Sequence, residues 1–144
     1  MSDDDAKALG LRALAAGFRW AGGVLSGGDR WGLNDPALDL CRFAEVEGHR
    51  HQDWAADGDW PDFRDPATLG VLLAQVREAH GFTHLFTTAT IWVDVGRVSY
   101  GVEGTDAGGG VTDMVRSYRE GSGESELCWS EAEALVSALE AAPK

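Results

Sequence analysis

The sequence predicts an α+β fold: an antiparallel sheet of about five to six strands with two to three helices packed on it. Strand-like stretches in the C-terminal half are joined by tight turns, which only antiparallel neighbours allow. Capped amphipathic segments stand before, between and after the strands. With 144 residues, 44% hydrophobic and 25% charged, the chain has ordinary globular usage and reads as a single domain over 1–144.

Residues 6–16 predict a helix, because Leu9, Ala13 and Ala16 recur on one side and Leu11, Leu14 and Phe18 widen it. Asp3, Asp4 and Asp5 stand at its positive end and Gly17 is its natural stop. Phe18-Arg19-Trp20 then starts a strand. Ser26-Gly27-Gly28-Asp29 turns, Arg30-Trp31-Gly32-Leu33 returns antiparallel, and Asn34-Asp35-Pro36 ends the unit. Ala37–Val46 is expected to make two helical turns with Leu40, Phe43 and Ala44 on one face.

Residues 37–64 as a whole read as an irregular acidic, aromatic-containing insert. In it Asp53, Asp57, Asp59 and Asp62 alternate with Trp54, Trp60 and Phe63 in no regular period. Asp65-Pro66 opens a helix as N-cap and first helical residue, Leu69, Leu72, Leu73 and Val76 give it a buried stripe, and Gly81 closes it. Phe82–Thr88 alternates as a strand, with His84 between Phe82 and Phe86 expected in the core.

Thr90–Glu103 reads as the central hairpin, turning at Gly96-Arg97 in a two-residue type II′ turn. That register sets Val95 against Val98, Val93 against Tyr100 and Ile91 against Val102 on a core-facing side, with Trp92 sheltering Gly101. Gly104–Gly110 is a turn, Val111–Glu120 a strand with a bulge or an edge, and Glu124–Trp129 alternates again. Ser130 and Glu133 form a capping box, followed by Ala132, Leu135, Val136 and Leu139 at helical spacing and Pro143 at the end.

Charge narrows the function classes. The net charge is −12, from 24 acidic against 12 basic residues, and the excess is spread along the chain. Such a field repels phosphates, so direct binding to nucleic acid or to an anionic membrane is disfavoured and basic proteins are favoured partners. The 2 cysteines, Cys41 and Cys128, make no CxxC spacing and no disulfide framework, which points to a reducing compartment. The acidic start MSDDDAKALG lacks the bases and apolar run of a signal peptide, and no stretch is long and apolar enough to span a bilayer. The expectation is a cytoplasmic protein, monomeric or a small homo-oligomer.

No catalytic set assembles. His80 and His84 are separated by the helix stop Gly81, so they do not share a helical face as a zinc-protease pair must. Asp57-Gly58-Asp59-Trp60-Pro61-Asp62 lacks the remaining positions of a calcium loop. No GxSxG occurs, and Gly108-Gly109-Gly110 leads into a strand rather than a helix, which removes the phosphate-cradle reading. No cofactor is expected.

Several segments occur elsewhere in the same order: the helix running into Gly17-Phe18-Arg19-Trp20, the helix opened by Asp65-Pro66-Ala67-Thr68-Leu69, the Trp-bearing strand Ile91-Trp92-Val93, and the close SEAEALVSALEAA over Ser130–Ala142. Together they resemble small uncharacterised phage and prophage proteins of the phage α-β-α sandwich type. The resemblance implies a sheet with helices packed on it and a phage-type origin, and it implies no chemistry.

The expected function is therefore non-catalytic protein binding, in the form of an inhibitor of a host nucleic-acid-binding defence complex whose Lys and Arg sites take carboxylates in place of phosphates. The partner-binding residues expected are Asp53, Trp54, Asp57, Asp59, Trp60, Asp62 and Trp92, acids for steering and rings for anchoring. A toxin-neutralising immunity protein has the same size and charge. From another class, a small metal-dependent hydrolase or nuclease would use Asp57, Asp59 and Asp62 with His49 or His51.

Overall fold

The computed structural model describes residues 1–26, 29–35, 39–43, 50–51, 59–118 and 127–143, the side chains of 29–35, 39–43 and 50–51 excepted. Its contacts divide the chain into two units, Met1–Val71 and Leu72–Lys144, with the boundary inside a helix. The class is α+β, and among the described residues the strands pair antiparallel in two sheets, one of four strands and one of three. The expected sheet of five to six strands is not what the described residues form.

In the first unit, helix α1 spans Asp3–Ala15, capped by the Ser2 hydroxyl, which accepts from the Asp5 amide, with Asp3, Asp4 and Asp5 in the first turn. It ends in a Schellman motif: the Phe18 amide donates to Ala13 O and the Gly17 amide to Leu14 O, with Gly17 at φ +104°. Its buried positions are Ala6, Leu9, Gly10 and Ala13. Leu11 is exposed, so the apolar face is narrower than the sequence indicated.

Phe18–Trp20 is not a strand. Strand β1 is Leu25–Ser26, pairing with β2 (Asp29–Asp35) through Leu25↔Arg30 and Ser26↔Asp29. The ring of Phe18 is buried edge-on against Phe63, 5.4 Å between centroids, and packs against Trp20 as well. The Phe18 amide is already bonded to Ala13 O in closing α1, so it is not available to a ladder. The helical turns expected over Ala37–Val46 are likewise replaced by β3, Asp39–Phe43, antiparallel to β2, and β4 (Arg50–His51) pairs with β3. A short apolar run is ambiguous between helix and strand, and here the sheet decides.

Helix α2, Pro66–His80, crosses the unit boundary. The Asp65 carboxylate accepts from the Thr68 amide at 3.0 Å, which makes Asp65 the N-cap. Thr68, Leu72 and Val76 are fully buried, one turn apart. The helix ends in a second Schellman motif, Gly81 (φ +70°) donating to Glu78 O and Phe82 to Arg77 O.

The second unit is the sheet β5 (His84–Trp92), β6 (Arg97–Thr105) and β7 (Val111–Val115), with β6 in the middle. The hairpin turn is a four-residue loop, Val93–Gly96, rather than a type II′ turn. Gly96 takes φ +64° and donates to Trp92 O. The register is therefore Trp92↔Arg97, Ile91↔Val98, Ala89↔Tyr100 and Thr87↔Val102. Val98, Tyr100 and Val102 keep their expected face with different partners. Ile91, Val93 and Val95, expected in the core, are 74%, 85% and 48% exposed.

One face of this sheet carries Val102, fully buried, beneath helix α3 (Glu131–Glu140) and Phe82. The Thr87 hydroxyl donates to the Glu131 carboxylate, and the Phe82 ring lies over Gly104, where a β-carbon would clash with it. His80 stacks on Phe82 and bonds Ala138 O through Nε2 at 2.7 Å. Helix α3 is capped as the sequence predicts: Ser130 accepts from the Glu133 amide at 3.1 Å, while Glu133 reaches back to the Trp129 amide. Of Glu124–Trp129, the described part forms a single bridge, Tyr100↔Cys128. His84 is exposed rather than in the core.

Candidate functional site

The expected site residues part company. Asp53, Trp54 and Asp57 lie outside the described residues. Asp59, Trp60 and Asp62 lie together in the first unit, on the segment leading to α2, and Trp92 lies in the second.

Asp62 is tied down on all sides. Its amide donates to Leu25 O at 2.9 Å, which holds the segment against β1. Its carboxylate accepts from the Arg64 amide and takes both Nε and Nη2 of Arg64, at 2.9 and 2.8 Å. Nη1 of the same guanidinium reaches Asp3 at 2.6 Å. The Arg64 side-chain hydrogen bonds hold the Asp62 carboxyl below its ordinary value, against a smaller opposing effect of burial. This carboxylate is a fastener. Around it Pro61 and Phe63 are buried, and the Trp60 Cβ and Pro61 carbonyl press against helix α1 at Gly10.

Trp92 does not lie over Gly101. Gly101 is covered by the end of β7 and the chain after it, where a β-carbon would lie 2.5 Å from both Ser117 N and Val115 O. Trp92 stacks on Tyr118 at 5.4 Å, and its Nε1 donates to the Ser99 hydroxyl at 2.7 Å. The Ser99 hydroxyl in turn donates to Ser117 O, and Thr90 bonds the Ser117 hydroxyl. The segment Val115–Tyr118 thus straps the Trp92 half of this face.

The other half is not covered by any described residue, and it holds Glu103 and Asp113 as a pair that the sequence did not single out. Across β5, β6 and β7 the first row is Phe86, Glu103 and Asp113, and the next is His84, Thr105 and Val111. Glu103 and Asp113 are direct cross-strand neighbours of like charge. The hydrogen bond to Asp113 pushes the Glu103 carboxyl above its ordinary value, with desolvation and the charge of Asp113 adding to it. Among the described residues no cation pairs with either. Phe86 is 41% and Val111 63% exposed beside them. The signal was present in the sequence: a hairpin closed over Asp106–Gly110 brings 103 opposite 113. In it the Asp106 carboxylate accepts from the Gly108 and Gly110 amides at 2.9 Å each.

Among the described residues no three of His, Cys, Asp and Glu gather as metal ligands, and no helix is long and apolar enough to cross a membrane. No known protein family, curated protein or solved structure matches this chain.

Proposed function

We propose that the chain is a non-catalytic binding protein for a basic protein partner, docking through the open rows of its C-terminal sheet. Glu103 and Asp113 receive a Lys or Arg of the partner, and Phe86 and Val111 supply apolar contact on either side. The observation that carries this reading is the facing acid pair itself. Like charges directly across a ladder destabilise it, and a cation brought by a partner converts that repulsion into two charge-assisted bonds. The net charge of −12 speeds the encounter with a basic surface. A nucleic-acid-binding complex, whose Lys and Arg sites are spaced for phosphates, is the form of partner this arrangement fits best.

The test is affinity capture from host lysate with the wild-type chain and with the double variant Glu103→Lys, Asp113→Lys, at low and high salt. Basic proteins retained by the wild type at low salt, released by salt and lost by the variant are the expected result. The same proteins on both baits, or retention indifferent to salt, rejects the docking face.

A further inference from the structure

Strand β5 is His-Leu-Phe-Thr-Thr-Ala-Thr-Ile-Trp, residues His84–Trp92, and it contains none of the chain's 24 acidic or 12 basic residues. Among the described residues it is an edge strand, paired with β6 alone. Which of its backbone groups face outward follows from β6. The Tyr100 amide donates to Cys128 O, on the side away from β5. Ala89, opposite Tyr100, therefore makes no ladder bond to it, and its own N–H and C=O point out from the sheet. By alternation so do those of Leu85, Thr87 and Ile91.

Exposed edges are ordinarily blunted by shortness, by Pro, Lys or other charge, or by a bulge. The opposite edge shows such devices: β7 has five residues, carries Asp113, and is irregular in register between Asp113 and Val115. Strand β5 has none of them. It has nine residues in unbroken register, with Ile91 74% and Phe86 41% exposed.

We propose that β5 is a dimerisation strand, pairing antiparallel with β5 of a second copy about a two-fold axis at Thr88. The two three-stranded sheets then become one continuous sheet. The strand is complementary to itself in this register. Leu85 lies across from Ile91 of the other copy, Thr87 across from Ala89, Phe86 across from Thr90, and Thr88 across from itself. Every outward-pointing residue meets another outward-pointing residue, so the bare amides and carbonyls bond one another. Two chains of net charge −12 repel over most of their surfaces, and a strand without charge lets them close without opposing like charges. Self-pairing also covers Ile91, the most exposed large apolar side chain on the strand.

Light scattering and sedimentation of the full chain at about 100 μM, far above micromolar affinities, test this. The expected mass is twice 15.4 kDa. Ala89→Pro keeps the β5–β6 ladder, since the amide it removes points outward. Ile91→Lys sets a charge against Leu85. Each is expected to weaken the dimer at least about tenfold with circular dichroism unchanged. Thr88→Cys is expected to form a disulfide-linked dimer on oxidation, faster than wild type or Thr90→Cys. A wild-type monomer overturns the proposal, including the case in which this edge is reserved for a strand of another protein. A dimer that survives both edge variants, or cross-links equally through Thr90→Cys, overturns it as well.

Discussion

Asp62 and Glu103 are side chains of the same sign in two parts of one acidic chain, and their surroundings move them in opposite directions. Asp62 receives a guanidinium in bidentate fashion, and its own amide is bonded to β1. Glu103 receives a second carboxyl. In the first place the fold uses the charge to fix a segment against helix α1 and β1. In the second, no cation among the described residues compensates the charge on the sheet face between Phe86 and Asp113. An excess of acids in composition says nothing of which carboxylates remain for a partner. That is decided residue by residue, by where the cations are.

The largest expected effect breaks the first site from below. Ala at Gly10 ordinarily stabilises a helix interior by about 1 kcal/mol. Here its β-carbon would lie 2.6 Å from the Pro61 carbonyl oxygen and 3.2 Å from the Trp60 Cβ. Backbone yields poorly, and overpacking of this kind costs about 1–3 kcal/mol. Gly10→Ala is therefore expected to lose up to about 2 kcal/mol net, read by urea unfolding. The equivalent break in the second unit is Gly101→Ala, which drives the Ser117 strap off Trp92; a rise in Trp92 exposure by fluorescence quenching checks it.

Arg64→Ala comes next and separates charge from packing. In the wild type the Asp62 carboxyl lies below its ordinary 3.8. The stability it contributes is present above that value and lost as pH falls through the depressed one. Without Arg64 that contribution disappears at neutral pH, and the Asp62 titration followed by NMR returns toward 3.8. An unchanged Asp62 titration in Arg64→Ala would mean that the backbone, not the guanidinium, sets its acidity.

The helices were legible in the sequence because their ends are written locally. Gly17, Asp65, Gly81 and Ser130 each act at the terminus where their chemistry places them, whereas the first helix begins at Asp3 under the Ser2 cap, three residues before the expected start. The hairpin register was not legible, because a type II′ turn and a longer loop closing on a left-handed Gly both ask for Gly96. The two alternatives preserve the alternation of β6, so the face of Val98, Tyr100 and Val102 was legible, while their partners and the exposure of Ile91, Val93 and Val95 were not. Phe18 and Leu40 sit in short apolar runs that local pattern cannot assign. Of the expected binding residues, Asp62 differs because its neighbour two positions on, Arg64, turns back onto it, a contact that periodicity does not encode. Glu103 and Asp113 become a pair only once the turn at Asp106 sets their register.

The smallest effect is the one that sharpens the comparison most. Glu103→Gln removes one of two like charges from a cross-strand pair, and the amide can still donate to Asp113. Facing pairs are worth about 0.2–1 kcal/mol in either direction, with solvent exposure favouring the lower end, so the variant is expected to be slightly more stable than wild type at neutral pH. The sign reverses that of Asp62. A carboxyl held above its ordinary 4.5 contributes stability that is full below that value and lost as pH rises through the raised one. The gain from Glu103→Gln should then shrink as the solution is acidified, while the loss from Arg64→Ala also shrinks, the two variants converging on wild type from opposite sides. If Glu103→Gln is stabilising yet weakens retention of basic proteins, repulsion in the free chain is being kept for the sake of the bound one. If it destabilises at neutral pH, the acid pair is held together by something within the chain, and the docking face must be sought elsewhere.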